Sequence, residues 1–332
     1  MKNFSSAAVA GSNKTVLVTG AAGFIGRHLC VHLASKGFRV RAAVRQLPAA
    51  AVAGASETVV TGEINADTVW AAALGGVDCV VHLAGRAHVM HERAAAPLTL
   101  YRQVNALGTR CLAQAAAKQG VKRFVFISSI KVNGETSGTP EGTRYFSEEL
   151  PVAPQDPYAV SKWEGEQALL QVCHDCRMEP VVLRLPLVYG KGVRANFAQL
   201  VKLVKSGIPL PLAAVKNRRS MLYVENLCEL IFLSLVHPRA AGQLFLLSDG
   251  KDLSTPELIR LIAAGLQVKA HLFPCPVFLL NCLAAMVRKQ AAVERLTGSL
   301  CVNNQKSIAL LGWKPRFSLK EGIRRTVEEC MR

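Results

Sequence analysis

The sequence predicts an α/β fold, a doubly wound parallel sheet with a smaller C-terminal lobe interleaved with it. Two patterns predict it. Short β-branched runs alternate with helical segments from residue 14 to residue 185, the order that builds a parallel sheet covered by helices on both faces. Three glycines, Gly20, Gly23 and Gly26, stand between the first strand and the first helix, where such a sheet turns sharply.

The elements follow in order. Lys14–Thr19 reads as a strand, 26–35 as a helix, and Arg39–Val44 and Glu57–Val60 as strands. A strand over 77–83 precedes a helix around 98–119. Arg123–Ser128 is a strand, 158–173 a helix and 181–185 a strand. Later come helices near 197–206, 224–235 and 256–264, and a strand at 244–247. Residues 13–185 are expected to form the dinucleotide-type domain, with segments near 220–250 returning to it, and 186–332 mainly a substrate lobe.

Half of the 332 residues are hydrophobic, enough for one large domain or two closely packed ones. The net charge of +17 calls for an anionic partner. No block of like charges stands out, so a phosphorylated small molecule is favoured over nucleic acid. Residues 1–13 lack the apolar core of a signal peptide. The apolar stretch 271–287 is interrupted by Pro274, Pro276 and Asn281, which argues against an integral membrane segment. A membrane-surface contact by 278–287 stays open, with a buried helix preferred. The ten cysteines are scattered, as free thiols in a cytoplasmic protein would be. Cys173 and Cys176 flank His174 without a second ligand pair, so no metal is expected. His28 and His32 read as solvent-side helix residues, and Trp313 as core.

The glycine run lets backbone N–H groups reach a pyrophosphate at the helix N-terminus, the dinucleotide-binding device of a Rossmann sheet. Its spacing is GxxGxxG. The second strand ends Arg41-Ala-Ala-Val-Arg45, with no acid to hold a ribose 2′-hydroxyl, and Arg45 is free to meet a 2′-phosphate. NADP(H) is therefore favoured, with NAD(H) as the alternative.

Asp156-Pro157-Tyr158 opens a helix with an N-cap and a proline at its first position. Lys162, four residues after Tyr158, shares its face, and an ammonium there is expected to lower the phenol pKa. Ser128-Ser129 places hydroxyls at the carboxyl edge of the sheet, where ligands bind.

Together these pieces resemble the extended short-chain dehydrogenase/reductases, within the nucleotide-sugar epimerase/dehydratase family. Matching segments are TGAAGFIG, HLAG at 82–85, N-x-x-G-T at 105–109, SSIKVNG at 128–134, Tyr158–Lys162 and LGWKPRFSLKEGI at 311–323. The resemblance implies that Ser129 holds the reacting sugar oxygen, Tyr158 moves its proton, and Lys162 holds the nicotinamide ribose. It places Gly20, Gly23, Phe24, Ile25, Gly26, Arg45, Glu63, Ile64, Leu83, Ala84, Gly85 and Asn105 along the cofactor. Asn105 would bridge a helix to a strand there. Asn196 and Arg219 would meet the substrate, a UDP-sugar. Arg86, a candidate substrate contact, stands with His88 and His91 equally between substrate contact and solvated loop. A homodimer is implied. Glu63 replaces a common Asp, and Leu187 a common substrate-facing Asn. Dehydratases carry an Asp–Glu pair after the catalytic hydroxyl; here Ile130 and Lys131 stand there, so elimination lacks its proton carriers. The segments SSIKVNGE, RAHVMHE and ERLTGSL resemble bacterial enzymes that reduce UDP-2-acetamido-2,6-dideoxy-4-hexulose to UDP-N-acetylquinovosamine for surface polysaccharide. That reduction is the expected activity. A UDP-hexose 4-epimerase is the alternative, and a non-catalytic sensor or scaffold the remote one.

Overall fold

A computed structural model describes residues 13–87, 96–138, 142, 144–286 and 290–331. The first half runs β1 (Thr15–Thr19), α1 (Phe24–Ser35), β2 (Arg39–Val44), β3 (Glu57–Val60), α2 (Ala71–Leu74), β4 (Cys79–His82), α3 (Pro97–Arg102), α4 (Gly108–Lys118), β5 (Arg123–Ser129), α5 (Pro157–His174) and β6 (Glu179–Leu185). The second half adds β7 (Leu187–Tyr189), α6 (Ala195–Lys205), β8 (Met221–Tyr223), α7 (Val224–Val236), β9 (Leu244–Leu246), α8 (Thr255–Leu266), α9 (Val277–Met286), α10 (Gln290–Thr297), α11 (Gln305–Leu311) and α12 (Leu319–Cys330).

Seven strands form one sheet in the order β3-β2-β1-β4-β5-β6-β9, every pair parallel. The chain order reverses between β1 and β4, which opens a crevice at the carboxyl edge of those two strands. All seven residues of β5 are buried, as a central parallel strand covered on both faces requires. One face packs Leu29, Leu33, Ile231, Ile259, Trp313 and Val327 into a core. The other packs Trp70, Leu112, Phe124 and Leu169. β9 extends the sheet beyond β6, and α7 lies against α1, so later chain returns to the first half.

Several elements depart from the sequence reading. The helix expected over 98–119 is interrupted by a π-helical turn at Gln103–Leu107. The wider turn carries Asn105 into the interior, where α5 approaches so closely that a Cβ on Gly165 would lie 2.3 Å from the Asn105 carbonyl oxygen. β7 and β8 pair in a separate two-stranded sheet, too short to read from periodicity. His28 and His32 do not face solvent freely: His28 Nε2 lies 2.8 Å from the Lys191 carbonyl, and His32 pairs with Glu229 and packs edge-on against Phe232. The helix at 277–286 is not buried either, because Phe278, Leu279 and Met286 are exposed. No described helix is long and apolar enough to cross a membrane. Among the described residues no cluster of three metal-ligating side chains occurs, and His174 turns to Asp175.

The β1–α1 turn depends on missing side chains. Gly20 has φ +67°, and a Cβ there would meet the Ala84 nitrogen at 2.9 Å. A Cβ on Gly26 would lie 2.3 Å from the Gly20 carbonyl oxygen. Gly26→Ala is therefore expected to destabilise the protein by about 1–3 kcal/mol. Gly75→Ala, at φ −56° with nothing nearer than 3.9 Å, should cost almost nothing. Denaturant unfolding of the two variants checks the contrast.

Candidate active site

Ser128 and Ser129 end β5 and, as neighbours on a strand, diverge. Ser128 donates a hydrogen bond to the buried Glu166 of α5. The Ser129 hydroxyl acts on the Tyr158 phenol to lower its pKa, and its Oγ accepts from the Lys131 amide at 3.3 Å. Asp156 caps α5 by accepting from the Ala159 amide at 2.6 Å, which orients the first turn that carries Tyr158. Its other oxygen binds Lys131 Nζ at 2.6 Å, and Glu135 binds the same ammonium at 2.9 Å. Burial disfavours that charge, but the two carboxylates outweigh it and hold the Lys131 pKa above its ordinary value. A cation tied to the helix cap thus occupies one place of the dehydratase acid pair, and the buried Ile130 the other.

Tyr158 is half-buried, and its ring packs edge-on against Tyr101. Desolvation pushes its pKa up to about 12, against the pull of the Ser129 hydrogen bond. Lys162 is 4 % exposed, with Nζ 4.2 Å from the centre of the Phe126 ring. Burial pushes its pKa down to about 7, only partly offset by Glu166. Lys162 is not among the groups that shift Tyr158, so the expected lowering of the phenol pKa is not found in the cofactor-free protein.

Beneath them lies a network that the motif did not reveal. Arg184 of β6 binds Glu166 through Nε at 2.9 Å and Nη2 at 2.6 Å, and donates from Nη1 to Asn133 Oδ1 at 3.0 Å. A second network runs under the crevice. The Ala84 amide donates to Thr19 Oγ1 at 3.1 Å; Thr19 contacts His82 Nδ1 at 2.7 Å; His82 Nε2 contacts Thr109 Oγ1 at 3.1 Å; and Thr109 donates to the Asn105 carbonyl at 2.7 Å. Thr109 spends its proton on Asn105, so His82 must donate from Nε2 and accept from Thr19 at Nδ1. That is the neutral tautomer, and burial pushes the His82 pKa down to about 3. Asn105 itself binds both the amide and carbonyl of Arg86, at 2.8 and 3.0 Å, and Ser161 Oγ at 2.9 Å. It ties its own turn to the segment after β4 and to α5, not to a strand.

A dinucleotide fits these residues. Gly23 starts α1 with no side-chain cap and no acid in the first turn, leaving its N–H groups for a pyrophosphate. Gly20, Leu83, Ala84 and Gly85 floor the crevice, and a Cβ on Gly85 would lie 2.9 Å from Asn105 Oδ1 and 3.8 Å from Lys162 Nζ. Phe24 and Ile25 follow on α1, while Gly26 is buried in the turn. Arg45 and Glu63, 71 % and 82 % exposed, face each other across 4.0 Å at the far edge. Ile64 leans on α4 at Gly108. In the second lobe Asn196 and Arg219 line one cavity of about 290 Å³ together with Leu187 and Arg295. Arg219 Nη1 donates to the carbonyls of Arg295 and Gly298 at 2.9 and 3.1 Å. Arg86 sits over the Tyr101 ring. His88 and His91 lie outside the described residues.

Lys162 makes a pH prediction for the cofactor-free protein. Its unfolded pKa is near 10.5 and its folded value about 7, so between them the unfolded chain binds more protons and stability rises with pH. The burial penalty is full below the folded value and gone above the unfolded one. Lys162→Met should therefore raise the melting temperature more at about pH 6 than at about pH 10. An equal or reversed difference contradicts the depressed pKa.

Residues 16–247 match the model of the NAD dependent epimerase/dehydratase family. The chain is 43% identical over 317 residues to a UDP-glucose 4-epimerase of Vibrio cholerae, covering 95% of each chain. It is 28% identical over 334 residues to the N-acetyl-alpha-D-glucosaminyl-diphospho-ditrans,octacis-undecaprenol 4-epimerase of Escherichia coli O157:H7, again over 95% of each. The structure of MoeE5 in complex with UDP-glucose and NAD shares the fold, with a TM-score of 0.76 at 24% identity over 96% of this chain and 98% of that one. The chain is an NAD(P)-dependent enzyme and belongs to the NAD-dependent epimerase/dehydratase family.

Proposed function

We propose that the chain is a 4-epimerase of a UDP-linked hexose or N-acetylhexosamine. The observation that carries this reading is the Lys131–Asp156–Glu135 cluster. With Lys131 held as a cation at the cap of α5, Ser129 and Tyr158 meet the sugar without an acid pair to expel a hydroxyl. What remains is hydride transfer at C4 without elimination, and an epimerase returns the hydrogen that it removes. A bound oxidised nicotinamide would supply a hydride acceptor for C4 and a positive charge that favours the Tyr158 phenolate. Ser129 holds the C4 oxygen, Tyr158 takes its proton and gives it back, and Lys162 holds the ribose. Arg219 and Asn196 anchor the diphosphate while the sugar turns its other face. The 43% identity to a UDP-glucose 4-epimerase supports this reading over the reduction expected from sequence.

Reduction of a 4-keto sugar by exchangeable NADPH is the second reading, favoured by Arg45. No acid ends β2, and Arg45 is largely exposed for a 2′-phosphate. Glu63 opposes that role, since the same guanidinium lies near its carboxylate. On this reading Arg45→Asp lowers affinity for NADPH by about tenfold relative to NADH, because a charge-assisted contact becomes a repulsion. Equal loss for both dinucleotides, measured by fluorescence titration, removes Arg45 as the reader.

The purified protein is expected to interconvert UDP-glucose with UDP-galactose, or UDP-N-acetylglucosamine with UDP-N-acetylgalactosamine, with no net consumption of NAD(P)H. Tyr158→Phe should slow this by about two to four orders of magnitude. If instead the protein oxidises one NAD(P)H for each UDP-4-keto-6-deoxy sugar supplied by a UDP-N-acetylglucosamine 4,6-dehydratase, the reductase reading replaces the epimerase.

A further inference from the structure

The second lobe ends in an apolar surface on α9. Phe278 and Met286 are 70 % and 79 % exposed, and Leu279 also faces out, while Leu280 turns into the core. Phe273, just upstream, is exposed too. Main-chain hydrogen bonds from the Leu210 amide to the His271 carbonyl and from the Phe273 amide to the Leu210 carbonyl bring a second exposed segment alongside, headed by Ile208. Two stretches of chain distant in sequence thus contribute to one greasy end. α9 spans only ten residues, about 15 Å as a helix, far short of a hydrocarbon core.

The charge of the same stretches has one sign. Between Glu179 and Glu225, and again between Glu257 and Glu294, the sequence contains no Asp or Glu. Those intervals carry Lys202, Lys216 and Lys269, all exposed, and Arg288 and Lys289 follow Met286 in sequence. A neutral apolar face suits many partners. An apolar helix set in acid-free, lysine-bearing chain suits a surface with acyl chains below and anionic headgroups above.

We propose that this end of the lobe docks on an anionic lipid bilayer, with α9 lying in the headgroup layer. Phe278, Leu279 and Met286 enter the acyl boundary, and the lysines meet lipid phosphates. α9 packs against α10, whose Arg295 and Leu296 line the cavity that holds Asn196 and Arg219, so docking brings that cavity close to the membrane. The inference stands apart from the epimerase reading, because binding is measured without turnover.

The test is flotation of the full chain with vesicles of equal parts phosphatidylglycerol and phosphatidylcholine. The protein is expected to float with these vesicles, to stay behind with pure phosphatidylcholine, and to be released by high salt. Phe278→Asp with Met286→Asp should reduce the floated fraction at least about tenfold, since a charge in the acyl boundary is strongly disfavoured. Both positions are exposed, and unchanged circular dichroism and cofactor binding will show that the fold persists. Failure to float with anionic vesicles, or flotation unaffected by the double substitution, overturns the proposal. So does a soluble oligomer that the same substitutions dissociate, which would make the face a contact between copies of this chain.

Discussion

Glu166 and Arg184 form a bidentate ion pair, 1 % and 4 % exposed, between α5 and β6. The proposed catalytic groups hang from it. Removing two charges from water costs several kcal/mol per ion, and further hydrogen bonds to each partner help to offset that cost. Ser128 of β5 satisfies Glu166, and Asn133 satisfies Arg184. The pair therefore fixes the depth and rotation of α5 against β5 and β6 together. Lys162 lies one turn before Glu166 and Tyr158 two turns before it, so both follow from the same anchor. Without either partner a buried charge would be left uncompensated, at about 3–5 kcal/mol.

The Thr19–His82–Thr109 strut does for the cofactor crevice what the ion pair does for the catalytic helix. It crosses from β1 through β4 to α4 and ends on Asn105, whose side chain grips Arg86 and Ser161. Each member has one partner for each proton, which explains why an imidazole is tolerated at zero exposure. The two networks meet at α5, because Ser161 adjoins Lys162. The proposed cofactor floor and acid/base helix are thereby joined by hydrogen bonds, as positioning of reacting groups requires.

Local chemistry was readable from sequence, and distant pairing was not. The glycine turn, the Asp156 cap and the four-residue step from Tyr158 to Lys162 are short-range patterns with few structural solutions. Glu166 is an ordinary helix residue in sequence, and Arg184 interrupts an otherwise apolar strand without naming its partner. Only the sheet order brings them together. The π-helical turn at Asn105 is invisible for the same reason, since it exists to accommodate Gly165 from another helix. The apolar run of α9 shows the opposite error. Hydropathy implies burial when a cover exists, and among the described residues Phe278 has none. The field expected from Lys162 on Tyr158 followed from spacing alone, whereas burial of the amine decides its charge.

On the proposed 4-epimerase reading, the hydrogen taken from C4 is the hydrogen returned there. Conversion of UDP-glucose deuterated at C4 tests this directly. The account predicts UDP-galactose that keeps its deuterium at C4, in unlabelled water, with none accumulating in free cofactor. Deuterium lost to solvent, or transferred stoichiometrically to released NAD(P)H, would contradict it.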